Sequence, residues 1–234
     1  MASSTRGGRA AAASAGTIQL QTRGTVTHRR VFVDATKTAK TLTNMHDAIE
    51  ATVQAVNILI DSNKGVLTRD NTAFTMDIDD TVLFVTEPGD AKHPCSKRVN
   101  TLRSMMKRLF EACQRFGRVY LVTAREGSER VGAWTREELH NAGFSGWERI
   151  FYCPRKMRKS WDTIARFKRN ARRAIERTYG HRIVLTVGDK WSDHLAHADT
   201  VHMDRADASK PLFTLLTVTD PSQHTVLALK LPSR

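Results

Sequence analysis

The chain of 234 residues carries 37 Lys and Arg against 24 Asp and Glu, a formal charge of +13 and a pI near 10.2. That length holds one sizeable α/β core with a tail, or at most two small domains. No stretch approaches the roughly 18 uninterrupted apolar residues of a membrane span, and the surplus of cations points towards polyanions as partners.

Residues 1–33 contain Arg6, Arg9, Arg23, Arg29 and Arg30, no acidic residue, and much Ala, Ser, Gly and Thr. Lacking the apolar core of a secretory signal, they read as a disordered basic tail, with an organelle transit peptide as the alternative. Residues 34–70 read as an N-terminal helical segment packing on the core. Met45, Ala48, Ile49, Val53, Val56, Leu59 and Ile60 fall at helical spacing behind Asn44 as N-cap. The main domain is expected over 71–234. It opens with a strand at 74–79. After a loop with Pro88, Gly89 and Pro94 comes a helix whose apolar face is Val99, Leu102, Met106, Leu109, Phe110 and Cys113, ended by Gly117. The continuous apolar run Val119–Val122 predicts a strand buried on both sides. A helix over 128–142 closed by Gly143, a strand at 149–152, a strongly basic helix over 160–178 and a strand at 183–187 follow, with Asp199–Met203 as a further candidate strand. This alternation predicts an α/β fold, a Rossmann-like parallel sheet covered by helices on both faces. Its functional edge lies at the carboxyl ends of the strands.

Polar residues gather at that predicted edge. Asp77, Asp79 and Thr81 follow the first strand in Asp-x-Asp-x-Thr order, Thr123 follows the second, and Gly188-Asp189-Lys190-Trp191-Ser192-Asp193 follows the fourth. Period-two alternation would put Asp77 and Asp79 on one side. A nucleophilic carboxylate, an acid/base carboxylate and further acids for a divalent cation are the equipment of phosphoryl transfer. The cysteines Cys95, Cys113 and Cys153 form no metal-ligand pattern, and such a scattered, odd set fits a reducing, intracellular compartment.

These motifs resemble the haloacid dehalogenase (HAD) superfamily of phosphatases, in its acid-phosphatase-like branch of plant vegetative and bacterial class C type. The resemblance covers about residues 72–203. It rests on Leu121-Val122-Thr123-Ala124-Arg125, on Leu139-His140-Asn141-Ala142-Gly143-Phe144-Ser145-Gly146-Trp147-Glu148, on Phe167-Lys168-Arg169-Asn170-Ala171-Arg172, and on Val187-Gly188-Asp189-Lys190-Trp191-Ser192-Asp193. The resemblance implies a phosphomonoesterase with Asp77 as nucleophile and Asp79 as acid and base. Thr123 and Lys168 would hold the phosphoryl group. Mg²⁺ would be bound by Asp77, the Asp79 carbonyl and Asp189, with Asp193 in direct or supporting contact. Lys156 and Lys159 are the fallbacks for Lys168. The branch's secreted members carry signal peptides, and this chain shows none, which favours the cytoplasm.

The spacings from Asp77 to Thr123 and from Thr123 to Lys168 leave no room for a large cap domain, so the site is expected to be open. Beside it, residues 155–182 hold Arg155, Lys156, Arg158, Lys159, Arg166, Lys168, Arg169, Arg172, Arg173, Arg177 and Arg182 against Asp162 and Glu176. Arg169, Arg173 and Arg177 would share one helix face. Such a stretch suits a nucleic-acid backbone or a polyphosphorylated ligand, and otherwise a solvated helix face. A polynucleotide end-processing phosphatase and a non-catalytic nucleic-acid-binding protein on the same fold are the two rival readings. Retention of Asp77, Asp79, Thr123, Lys168 and Asp189 together argues against the non-catalytic one.

Overall fold

Strand β3 (Arg118–Glu126) sets the layering. Val119 and Leu121 belong to one apolar cluster, and Tyr120 and Val122 to another. Neighbouring side chains therefore point into two cores on opposite faces of the sheet. The computed structural model describes residues 36–42, 44–83, 103–194, 213–219 and 225–232. The expected tail at 1–33, Val99, Leu102, Cys95 and the candidate strand at 199–203 lie outside them.

Seven strands form one sheet in the order β1-β6-β7-β5-β2-β3-β4. The parallel part runs through β7 (Thr225–Lys230), β5 (Arg182–Gly188), β2 (Thr72–Met76), β3 and β4 (Arg149–Cys153). β6 (Phe213–Thr219) is antiparallel to β7, and β1 (Thr36–Leu42) pairs antiparallel with β6. Helices α1 (Met45–Ser62) and α2 (Arg103–Phe116) bury Met45, Ile49, Val56, Met106, Leu109 and Phe110 against one face. Helix α4 (Trp161–Arg177) buries Ile164, Phe167, Ala171 and Ile175 against the other. The expected parallel sheet with helices on both faces is thus present.

Capping residues fix the helix ends. Asn44 accepts from the Asp47 amide at 2.9 Å and starts α1. Ser160 and Thr163 form a reciprocal capping box at the start of α4. Helix α3 (Glu129–Asn141) ends at Gly143, whose φ of +79° suits glycine. There Phe144 N donates to Leu139 O and Gly143 N to His140 O, and buried Phe144 locks the turn.

The sequence reading misses three strands. β1, β6 and β7 lie where it finds none, and they extend the sheet beyond β5. Strand β2 also stops earlier than expected, at Met76, so Asp77 and Asp79 sit in the turn beyond it and not on a common strand face. That turn is tight: Leu83 N donates to Ile78 O at 2.8 Å, Asp80 N to Leu83 O at 2.7 Å, and Asp80 adopts φ of +55°. Asp tolerates this left-handed conformation better than most side chains, and such backbone clusters at functional turns. Among the described residues no separate cap domain is formed, and no helix is long and apolar enough to cross a membrane.

Candidate active site

The parallel strands β2, β3 and β5 deliver their carboxyl ends to one edge, and every expected site residue lies there or on α4 beside it. Asp77 follows β2 directly, its amide donating to Val187 O of β5 at 2.9 Å. Its carboxylate is 7% exposed, and Lys168 Nζ lies 3.0 Å from Asp77 Oδ2. The same ammonium also donates to Asp193 Oδ1. Lys168 reaches this spot because its helix face is apolar: Ile164, Phe167, Ala171 and Ile175 pin α4 to the sheet and carry Lys168 inward.

Asp193 is held in turn by its own short helical turn, Trp191–Asp193. The Lys190 amide donates to Asp193 Oδ2 at 3.1 Å. One α-helical turn beyond Lys168, buried Arg172 donates to the carbonyls of Ser192 at 3.2 Å and Asp193 at 2.8 Å. Trp191 packs with Leu216 and Ala228, so the unforeseen strands β6 and β7 anchor the acidic turn. Gly188 is required before it, because a Cβ there would land on the Asp193 carboxylate.

Carboxylate oxygens of Asp77, Asp189 and Asp193 lie within 4.8 Å of one another, and all three residues are buried. Burial raises the Asp77 pKa well above the usual carboxylate range, against the pull of Lys168 and with help from Asp193 and Asp189. Burial and Asp193 push Asp189 up to about 6. Burial works against the charge on Lys168, yet Asp193 and Asp77 outweigh it and hold the ammonium protonated. The His194 imidazole, pushed down to about 4 by burial, is neutral at pH 7. The three carboxylates face two ammoniums, Lys168 and Lys190, the latter with its Nζ 3.1 Å from Asp189 Oδ2, and among the described residues Asp77 Oδ1 is buried with no hydrogen-bond partner. All-oxygen donors and an orphaned carboxylate oxygen fit a hard divalent cation. Asp193 gives both of its oxygens to protein donors, which suits it to support more than to direct ligation.

Asp79 turns elsewhere. Its oxygens accept from Arg125 Nη2 at 2.7 Å and Nε at 2.9 Å, and its carboxylate stays out of the buried triad. Thr123 is fully buried on β3, and its Oγ1 accepts from the Arg125 amide at 3.1 Å. That bond leaves the hydroxyl proton to be donated elsewhere. Thr81 is also fully buried, its hydroxyl without a hydrogen-bond partner among the described residues.

The family model described as HAD superfamily, subfamily IIIB (Acid phosphatase), matches residues 95–215, just over half of the chain. The chain belongs to this family. It is a phosphatase, and its substrate carries a phosphoryl group. The match begins after Asp77 and Asp79, so these two stand on the geometry above. No curated protein matches the chain.

In this phosphatase the fallback lysines are set apart from Lys168: Lys156 and Lys159 are exposed in the segment between β4 and α4. The basic stretch divides. Lys168 and Arg172 are buried at the site and Arg169 is half-buried, while Arg166, Arg173 and Arg177 are exposed on α4. The strip expected from Arg169, Arg173 and Arg177 is therefore only partly solvent-facing. Sequence reasoning gives no role to Arg125 or Glu138, and counts Arg172 only as one cation of the basic stretch. The letters Arg125 and Arg172 stand in the motifs, but nothing in the spacing says what they touch.

Proposed function

We propose that this phosphatase is a Mg²⁺-dependent phosphomonoesterase working through an aspartyl phosphate on Asp77. A carboxylate oxygen of Asp77 attacks phosphorus, the ester P–O bond breaks, and Asp79 gives its proton to the leaving oxygen. Water then attacks phosphorus, Asp79 takes the water proton, and inorganic phosphate leaves as Asp77 is restored. Lys168 neutralises the charge of the transferring group, and the Thr123 hydroxyl donates to it. Asp77, the Asp79 carbonyl and Asp189 would hold Mg²⁺, with Asp193 in support. When bound, the cation offsets the charge of the phosphoryl oxygens beside the nucleophile.

The observation that carries this reading is the buried Asp77 carboxylate, one oxygen on Lys168 and the other, beside Asp189 and Asp193, without a hydrogen-bond partner among the described residues. A structural acid in that position would be expected to have both oxygens satisfied. The testing experiment is a phosphatase screen over nucleotides, sugar phosphates, phosphopeptides and phosphate-ended oligonucleotides, with Mg²⁺ or with chelator. Turnover that requires Mg²⁺ supports the reading, and full turnover in excess chelator removes the metal from it.

One observation favours a second reading, a polynucleotide end-processing phosphatase. The exposed Arg155, Lys156 and Lys159 follow the carboxyl end of β4, on the same edge as Asp77. Cations there could hold the backbone of a phosphate-ended strand. The buried, unpaired thiols of Cys113 and Cys153 support an intracellular, reducing setting.

A further inference from the structure

The acid/base carboxylate of the proposed mechanism is held by a residue that the mechanism does not use. Arg125 is 6% exposed, and its guanidinium fork makes four side-chain hydrogen bonds. On one side Nη2 and Nε take the two oxygens of Asp79 at 2.7 and 2.9 Å. On the other, Nη1 donates to Glu138 Oε2 at 2.7 Å and to Thr135 Oγ1 at 3.1 Å. Thr135 is itself fixed, donating to Val131 O at 2.8 Å along α3. A continuous set of hydrogen bonds thus links α3 to the Asp79 turn, and Asp79 is the member that reaches towards solvent, its side chain 39% exposed. A half-exposed carboxylate on a turn would otherwise sample several rotamers.

We infer that Arg125, braced by Glu138 and Thr135, is the positioning residue for Asp79. The inference rests on the reading of Asp79 as acid and base. One Asp79 oxygen can leave the fork for the ester oxygen while the other remains tethered, so the carboxylate swings about a single hydrogen bond. The same residue also ties in the phosphate side of the site, since its amide donates to Thr123 Oγ1. A lysine could not reproduce this arrangement, having a point charge in place of a planar fork.

The test is a leaving-group series read as kcat/KM, which reports the step in which the ester bond breaks. Alkyl phosphates need a proton on the departing oxygen, and 2,4-dinitrophenyl phosphate needs it least. Arg125→Gln is expected to lower kcat/KM for an alkyl phosphate about 100-fold. For the dinitrophenyl ester the loss should be at least tenfold smaller. Arg125→Lys and Glu138→Gln should show the same selectivity to a lesser degree, and they serve if Arg125→Gln does not fold. Asp79→Asn is run alongside. If Asp79→Asn is leaving-group selective and the Arg125 and Glu138 variants lose all substrates equally, the positioning role is overturned and the acid assignment stands. If Asp79→Asn itself shows no selectivity, the acid assignment has failed, and the positioning role falls with it.

Discussion

Lys168 Nζ lies 3.0 Å from Asp77 Oδ2, with both side chains nearly inaccessible to water. An ammonium so placed compensates the buried carboxylates, and in the proposed mechanism it would also face the transferring phosphoryl group. Charge stabilisation in a dry, preorganised site is stronger than the same contact in water.

Asp77→Asn keeps the size of the side chain and removes the proposed nucleophile. Turnover should fall by at least about a thousandfold while the fold survives. The check is steady-state kinetics beside circular dichroism. A variant that keeps more than about a tenth of wild-type activity would end the covalent mechanism.

Lys168→Met should cost more in stability than in volume. It leaves Asp77 and Asp193 buried without their cation, a loss of about 3–5 kcal/mol. Urea unfolding in the absence of divalent cations measures this. A change below about 1 kcal/mol would show that the carboxylates find another partner.

The pH dependence of cation binding follows from Asp189. Its pKa in the fold, about 6, lies above that of the unfolded chain, so folding without metal takes up a proton between about pH 4 and 6. That contribution to stability is present below about pH 4 and lost as pH rises through about 6. A cation must displace the same proton, so its affinity climbs over this window. His194, pushed down to about 4, acts oppositely: its contribution is present above about pH 6.5 and lost as pH falls through 4. Thermal melts with and without Mg²⁺ should show a larger gain at pH 7.5 than at pH 5.0. Equal gains at both values would exclude a protonated carboxyl at the site.

Gly188→Ala tests the acidic turn through sterics alone. The added methyl group must push Asp193 aside, and with it the partner of Lys168. An activity loss beyond about tenfold and a destabilisation of about 1–3 kcal/mol are expected, the usual cost of forced overpacking. Wild-type activity in this variant would mean that Asp193 can move without consequence.

The cationic rim makes a prediction about substrates. If Arg155, Lys156 and Lys159 contact a single strand, binding of phosphate-ended oligonucleotides should weaken with salt at a slope near −0.7 per contact, about −2 in all. Replacing the three with Gln should flatten that slope and spare a small chromogenic phosphate. Salt-independent binding, or equal loss on both substrates, returns these residues to a solvated surface.

Much of this was legible along the chain, and the parts that were not have a common cause. Helical spacing and apolar runs disclose α1 to α4 and β2 to β5, because those patterns are local. β6 and β7 are also rich in strand-forming residues, such as Leu215, Leu216 and Val218, or Val226 and Leu227. The sequence reading nevertheless places no strand there, and their pairing is invisible in any case, since Thr36 meets Thr219 only through the fold. β1, written Thr-Lys-Thr-Ala-Lys-Thr-Leu, hides its nature behind polar side chains. The gathering of Asp77, Thr123 and Asp189 follows from strand ends in a parallel sheet, while Lys168 is brought to it by the apolar face of α4. The contact between Arg125 and Asp79 does not, because it depends on where β2 stops and how the next turn bends.

The placement of β7 between β5 and β6 has a kinetic consequence. β5, whose end carries Asp189, keeps an unpaired flank until residues 225–230 are available to add beside it, and β1 finds its partner later in sequence than almost every other contact. The pairing of β1 with β6 spans most of the chain, and contacts of such long range are slow to form. A nascent chain released to fold before β7 is added would display an open strand beside the acidic turn, the kind of template on which other chains aggregate. Because Trp191 of the acidic turn packs on Leu216 and Ala228, a stalled or shortened chain without β6 and β7 would lose the support of the site before it lost its helices.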